Sequence, residues 1–185
     1  MAADSRLSLA DVALEENHPD HAETLVRTAI AEYEKEQSNP AAASAYTELS
    51  RALLQQGKLE DARQAIQHAT ELSHGTHDPT LKLPLAIQYS RVRMAEVGEN
   101  SQGRVPLRAA IQQLRSVIAL AKKLHYYEIE CEGRLALAEA EWKTDAAASR
   151  SQMEVLQKET HEHGLELLSH KAHLLAARQP SLSSH

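Results

Sequence analysis

The sequence is poor in the residues that mark β-rich and aromatic-cored proteins. It contains no Phe, aromatic residues make up 3% of the chain, and Gly and Pro number six each. No window shows a sustained alternation of β-branched residues, so nothing favours strands. Leu and Ala must therefore build the interior, and together with Glu, Gln and Arg they give a helix-forming composition. These features predict an all-α protein.

Cysteine and long apolar runs are also scarce. Cys131 is the only cysteine in the sequence, which excludes an internal disulfide and favours a reducing compartment. No apolar stretch approaches the roughly 18 residues that indicate a membrane span. The N-terminal segment lacks the basic and apolar regions of a signal peptide. We therefore expect a cytoplasmic protein that does not enter a membrane.

The chain has no strongly basic region. Its net charge is −6, and residues 1–40 carry nine acidic residues against Arg6, Arg27 and Lys35, whereas the remainder balances at seventeen of each sign. Binding of nucleic acid depends on clustered positive charge, so we do not expect a nucleic-acid partner. We interpret the acidic N-terminal region as a solvated outer surface.

What the sequence does contain is the pattern of a helical hairpin on either side of Gly57. Small and apolar residues recur there at spacings that place them on one helix face, and glycine suits the reversal between two helices. The predicted packing residues are Tyr46, Leu49, Ser50, Leu53, Gly57, Ala62, Ile66 and Ala69. The second half of the pattern recurs 40 residues earlier as Ala22, Val26 and Ala29. A period near 40 with two helices per unit indicates an α-solenoid.

Proline, glycine and capping residues divide the chain into about four hairpins and one closing helix. The hairpins are predicted over residues 5–38, 39–73, 79–124 and 126–163, and a capping helix over 165–178. Pro84 and a loop over residues 98–103 interrupt the third hairpin. The prediction is a single domain over residues 1–178, followed by a frayed tail over residues 179–185.

These residues resemble the tetratricopeptide repeat (TPR) family. The hairpin around Gly57 follows the family pattern, with Ser50 in place of its first glycine. A worn copy of the pattern is formed by Leu137, Ala138, Ser149, Met153 and Leu156. The long, alanine-rich repeats look most like bacterial TPR regions of the maltose-activator type. Such regions often form the C-terminal part of signalling proteins that carry a kinase or DNA-binding domain.

The resemblance also implies a right-handed superhelix with a groove for a protein or peptide ligand. Family geometry turns five residues toward that groove, namely Thr47, Glu48, Arg51, Leu54 and Gln55. Arg51 would pair with a carboxylate of the ligand, and Gln55 with a peptide backbone. Helix-in-groove binding and extended-peptide binding both stay open.

Histidine is the chemically suggestive residue, with eleven copies. Three groupings have a spacing that a metal site would use: His18 with His21, His74 and His77 with Asp78, and His161 and His163 with His170 and His173. No cysteine pair accompanies them. We interpret them as exposed loop and helix-end residues, with a proton-driven change as a second interpretation because histidine titrates near pH ~6.5. The prediction is that the chain holds no metal or cofactor.

Patterns for catalysis fail on their chemistry. Residues 98–105 have the spacing of a P-loop, but Arg104 replaces the phosphate-binding lysine and Val105 cannot bind Mg²⁺. Cys131 lies among acidic residues, which disfavour a thiolate. We therefore predict a non-enzymatic protein-interaction scaffold. The alternative is a structural module that self-assembles through the ends of its solenoid, and the sequence leaves the oligomeric state open.

Overall fold

The computed structural model describes residues 3–99, 104–142 and 145–177, and every regular element in these ranges is an α-helix. The all-α prediction is therefore confirmed. Contacts divide the chain into two compact units, Met1–Gly103 and Arg104–His185. The predicted tail over residues 179–185, and residues 100–103 of the predicted loop, lie outside the described residues.

The first unit is organised around its third helix. Its described helices are α1 (Ala3–Glu15), α2 (Pro19–Lys35), α3 (Asn39–Gln55), α4 (Leu59–Leu72) and α5 (Pro79–Glu99). Each helix packs against the next, and α3 also contacts α1 and α5. All residues from 41 to 54 are buried or half-buried, so α3 is the most enclosed part of this unit.

The core of the first unit consists mainly of alanine and leucine, as the composition requires. Among the predicted packing residues, Ser50 is fully buried, Tyr46 is half-buried, and Gly57 lies in a turn. The others all belong to the buried core: Ala22, Val26, Ala29, Leu49, Leu53, Ala62, Ile66 and Ala69. The alanines at four of these eight positions allow the helix backbones to approach closely.

The second unit has a smaller core. Its described helices are α6 (Arg104–Lys123), α7 (Tyr127–Glu141), α8 (Ala146–Glu162) and α9 (Glu166–Ala177). α6 contacts α7, while α7, α8 and α9 all contact one another. The core joins α7, α8 and α9 through Cys131, Leu135, Ala138, Met153, Leu156, Leu168 and Ala172. The predicted capping helix therefore packs its Leu168 and Ala172 against its own unit.

α5 is longer than the sequence pattern predicts. It spans 21 residues and contains Pro84 in its interior. The carboxylate of Asp78 accepts a hydrogen bond from the backbone N–H of Thr80 at 2.9 Å, and Pro79 suits the first helical position. The predicted loop over residues 98–103 is corrected at its start, because Gly98 and Glu99 are helical. A single proline removes only one backbone donor, and the helix continues past it.

One type of turn joins most of the described helices. The second residue after the helix end has a positive φ, and the next backbone N–H donates to the carbonyl five residues back, which is the hydrogen bond of the Schellman motif. These donor–acceptor pairs are His18 to Ala13, Ser38 to Tyr33, Lys58 to Leu53, Tyr126 to Ala121, and Leu165 to Thr160. The positive-φ residues are Asn17, Gln37, Gly57, His125 and Gly164. In the first unit these positions recur every 20 residues, so one helix and its turn form the structural unit.

The turns predict opposite effects of two substitutions. Gln37 has φ +55° and Gly57 has φ +74°, and non-glycine residues are strained there. A Cβ atom at position 57 would meet nothing within 4 Å, so only the backbone conformation decides. We expect Gln37→Gly to raise the free energy of unfolding by about 0.5–1 kcal/mol and Gly57→Gln to lower it by about 1–2 kcal/mol. Urea denaturation followed by circular dichroism measures both changes.

Gly75 provides the control for these turn variants. It also has open space around its Cβ position but no positive φ, so Gly75→Ala should leave stability unchanged or slightly raised. Changes of the same sign in Gln37→Gly and Gly57→Gln would contradict the explanation by backbone conformation.

Serine hydroxyls connect two helix pairs by hydrogen bonds to the backbone of the neighbouring helix. In the first unit the Oγ of Ser50 on α3 donates to the carbonyl of Ala62 on α4 at 2.9 Å. In the second unit the Oγ of Ser149 on α8 donates to the carbonyl of Ala138 on α7 at 2.7 Å. Ser50 lies on the first helix of its pair, α3, whereas Ser149 lies on the second helix of its pair, α8. These contacts give a common reference point for comparing the two pairs.

Candidate functional site

Arg51, the predicted groove cation, is bound by carboxylates of its own chain. Its guanidinium donates to Asp11 Oδ1 at 2.7 Å, to Glu15 Oε1, and to Glu48 Oε2 at 3.2 Å. Asp11 and Glu15 lie one turn apart on α1, and Glu48 lies one turn before Arg51 on α3. Arg51 therefore cross-links α1 to α3, and a ligand carboxylate would have to displace one of these partners.

These four side chains, which we call the Arg51 cluster, form an acidic surface. Three carboxylates surround one guanidinium, so their formal charge at neutral pH is −2. The side chain of Asp11 is 51% exposed, whereas those of Arg51 and Glu15 are 14% and 9% exposed. The inner ion pair is sheltered from water while the rim is open. The exposed carboxylate of Asp11 gives this rim a negative charge.

The partners of Arg51 follow the repeat that the packing residues reveal. Asp11 and Arg51 are 40 residues apart, the same offset that relates Ala22 to Ala62. Sequence reasoning applied this offset to the packing residues alone. Extended to the polar face of the first helices, it brings Asp11 beside Arg51 in the repeat register.

The other predicted groove residues differ in their access to solvent. Thr47 is buried, and its hydroxyl donates to the carbonyl of Ala43 at 2.9 Å. Leu54 is half-buried against the core, and Gln55 is exposed. Gln55 thus presents an open amide, whereas Thr47 bonds within α3. Binding of a peptide by these residues stays a prediction.

Glu23 makes a second polar connection within the first unit. It lies on α2, and its Oε2 accepts from Gln56 Nε2 at 2.9 Å and from Lys58 Nζ at 3.0 Å, in the turn between α3 and α4. Its Oε1 accepts from Arg27 at 2.8 Å. Burial alone would raise the pKa of Glu23, but these three donors outweigh it and lower the pKa from 4.5 to about 2. The negative charge of Glu23 therefore stabilises the folded chain.

The depressed pKa of Glu23 predicts how stability depends on pH. Its contribution is present above the unfolded pKa of 4.5 and is lost as pH falls from there toward about 2. Glu23→Gln should therefore lower the free energy of unfolding by about 1–2 kcal/mol at pH 7, and the difference from the wild-type chain should shrink as the pH approaches 2. Urea denaturation at several pH values measures this difference.

Glu154→Gln serves as the matched control because Glu154 is exposed on α8. The expected result is no measurable change in stability at any pH of the series. A Glu23→Gln penalty that stayed constant from pH 7 to pH 3 would contradict the assignment of that penalty to the charge of Glu23.

Tyr46 connects α3 to both α2 and α4. Its hydroxyl donates to Glu34 Oε1 on α2 at 2.8 Å, and its ring meets the ring of His68 on α4 edge-on, with centroids 4.5 Å apart. Burial, the hydrogen bond to Glu34 and the charge of Glu34 raise the pKa of Tyr46 to about 12. The phenol therefore stays protonated at neutral pH and keeps donating this hydrogen bond.

Potential reactive groups are dispersed or buried. In the described ranges, no group of three or more His, Cys, Asp and Glu side chains is arranged to hold a metal ion. Cys131 is buried, and that burial raises the pKa of its thiol. Across the same residues, no helix combines the length and the apolar character needed to cross a membrane.

No protein-family model matches the chain, and a search of curated proteins found no significant match.

Proposed function

We propose that the chain is a non-enzymatic protein-interaction scaffold of TPR type. In this proposal the helices pair as antiparallel hairpins of a right-handed α-solenoid, and α9 caps the second unit. The observation that carries the proposal is the repeated turn, because Asn17, Gln37 and Gly57 take the same positive-φ role at 20-residue intervals. Repeated helices cannot bury their apolar faces alone, and their stacking leaves extended surfaces that bind other proteins.

The contacts within the first unit support this arrangement. The odd-numbered helices contact one another directly, α1 with α3 and α3 with α5. Residues at the same repeat position in these helices, Ala10, Ser50 and Ser90, are all small and fully buried. An inner layer formed by the first helix of each hairpin is the layer that lines the groove in the TPR family.

Charge indicates what kind of ligand this surface takes. The Arg51 cluster is formally −2, and Gln55 on the same helix is exposed. We propose a polypeptide partner whose basic residues meet the acidic rim and whose backbone meets Gln55, and neither nucleic acid nor a membrane. A cytoplasmic location, and a role as the C-terminal module of a bacterial signalling protein, belong to the same proposal.

Site-specific photo-crosslinking tests the proposed binding surface. p-Benzoylphenylalanine is placed at Gln55 on α3 or, as the matched control, at Gln67, an exposed glutamine on α4. Irradiation in lysate of the native cell should give discrete polypeptide adducts at position 55 and not at position 67. Identical adduct patterns at both positions, or no adduct at either, would overturn the proposal.

Exposed apolar residues favour the second candidate, a self-assembling module. Leu9 and Val12 are about half-exposed on α1, and Leu167 and Leu174 on α9. Their spacings of three and seven residues place each pair on one helix face. Sedimentation velocity over a wide concentration range separates the two candidates, because a concentration-independent monomer removes the self-assembling module.

A further inference from the structure

The second unit has a cleft between α7 and α8. Its volume is about 250 Å³. The floor and walls are mainly apolar, while the polar groups come from one arginine, one serine and one glutamine. The lining residues are Arg134 and Leu137 on α7 and Ser151, Gln152, Val155 and Leu156 on α8.

The serine contacts give the position of this cleft in the helix pair. Counted from the two bonded residues, Tyr46 lies four before Ser50 and His68 lies six after Ala62. In the second unit Ala138 on α7 takes the place of Ser50, and Ser149 on α8 takes the place of Ala62. The same counts then lead to Arg134, four residues before Ala138, and to Val155, six residues after Ser149. The cleft is therefore lined by the counterparts of Tyr46 and His68.

The two pairs fill this position differently. In the first unit an aromatic ring occupies it, since Tyr46 meets His68 with centroids 4.5 Å apart. In the second unit Arg134 takes the place of Tyr46, and its guanidinium bonds Glu159 on α8 at 2.5 Å. Val155, in the place of His68, is 49% exposed. The cleft therefore lies where the rings of Tyr46 and His68 meet in the first unit, and neither of its two counterparts there is aromatic.

We infer that this cleft seats an aromatic side chain of a polypeptide partner, in the place where Tyr46 lies in the first unit. An apolar cavity of about 150 Å³ holds a benzene ring, so the volume suffices for a phenyl or phenol ring. Leu137, Val155 and Leu156 supply apolar walls, and the Arg134 guanidinium supplies a cation for the face of the ring. Ser151 and Gln152 supply hydrogen-bonding groups for a phenolic hydroxyl.

This inference rests on the proposed function, because it takes the ligand to be a polypeptide. The surface is a different one: the cleft between α7 and α8 and not the Arg51 cluster with Gln55. The first test uses p-cresol, the small-molecule analogue of the tyrosine side chain, and follows the methyl NMR signals of Leu137, Val155 and Leu156 in the full chain. Saturable shifts of these signals are expected. Arg134→Tyr should abolish them, because the new ring fills the cleft as Tyr46 does in the first unit. Arg108→Tyr, the same change at an exposed position of α6, should keep them.

A second variant keeps the test decisive if Arg134→Tyr does not fold. Val155 is about half-exposed, so Val155→Glu should fold, and its carboxylate at the cleft should remove p-cresol binding. Absence of shifts in the wild-type chain, or unchanged shifts in both cleft variants, overturns the inference. The proposed function survives that result if crosslinking at position 55 succeeds.

Selection of random displayed peptides on the chain tests whether the occupant is a polypeptide. Peptides that carry a tyrosine or phenylalanine at one fixed position should be enriched on the wild-type chain, and this enrichment should disappear on Arg134→Tyr. Saturable p-cresol binding without such enrichment would overturn the polypeptide occupant and assign the cleft to a small aromatic molecule.

Discussion

Replacing Leu53 with alanine is expected to lower the free energy of unfolding by about 2–5 kcal/mol. Leu53 is 1% exposed and lies in the core of the first unit. Truncation removes the transfer free energy of its buried methyl groups and leaves a cavity that the close-packed alanines around it cannot fill. Urea denaturation of the full chain, followed by far-ultraviolet circular dichroism, measures the loss.

Leu9→Ala provides the matched control because Leu9 is 46% exposed on α1. The same chemical change there should leave the urea midpoint nearly unchanged. Equal losses for both variants would show that the change from leucine to alanine, and not the burial of Leu53, determines the loss of stability. A neutral Leu53→Ala would contradict the packing described for α3.

The burial of Leu53 illustrates what sequence pattern can predict. Helix periodicity is a local property, so the spacing of Leu49, Leu53, Ala62 and Ile66 is enough to indicate which face is buried. Gly57 marks its turn for the same reason, since glycine is the residue that most readily takes a positive φ. The fold class and the buried faces of α3 and α4 follow from interactions within a few turns of helix.

The turns at Asn17, Gln37 and His125 cannot be predicted from residue type in the way that the turn at Gly57 can. They have the same sign of φ as Gly57, but asparagine and histidine adopt it far less readily than glycine, and glutamine has no preference for it. The turn is imposed by packing of the helices on either side. α5 exceeds its prediction for a related reason, because Gly98 weakens a helix without ending it.

Side-chain partners were harder to predict than helices. Arg51 bonds residues 36 and 40 positions away, and its choice between its own chain and a ligand depends on the rotamers of long side chains. The cleft between α7 and α8 requires a comparison of two structural contacts, Ser50 with Ala62 and Ser149 with Ala138. The sequence pattern already places Ala138 and Ser149 in a worn copy of the pattern around Gly57, but only the coordinates show that a serine hydroxyl bonds the neighbouring helix in both pairs.

The variant Arg51→Met should lower the free energy of unfolding by about 2–4 kcal/mol, because it removes a guanidinium from beside the sheltered carboxylate of Glu15. Methionine keeps much of the packing of the arginine stem, so the loss reports the charge. Glu15→Gln in the Arg51→Met background should cost less than in the wild-type chain, with a coupling energy of about 1–2 kcal/mol. Urea denaturation of the four chains completes this double-mutant cycle.

Arg63→Met tests whether any arginine would give the same result. Arg63 is about half-exposed and pairs with Glu60 within α4, so its loss should leave the urea midpoint unchanged. If Arg51→Met were equally neutral, the cross-link between α1 and α3 would contribute nothing to stability. The guanidinium would then be available to a ligand carboxylate, as the resemblance to the TPR family implies. A large loss with strong coupling to Glu15 would instead assign Arg51 a structural role in linking α1 to α3, and the proposed partner would then meet Asp11 and Gln55.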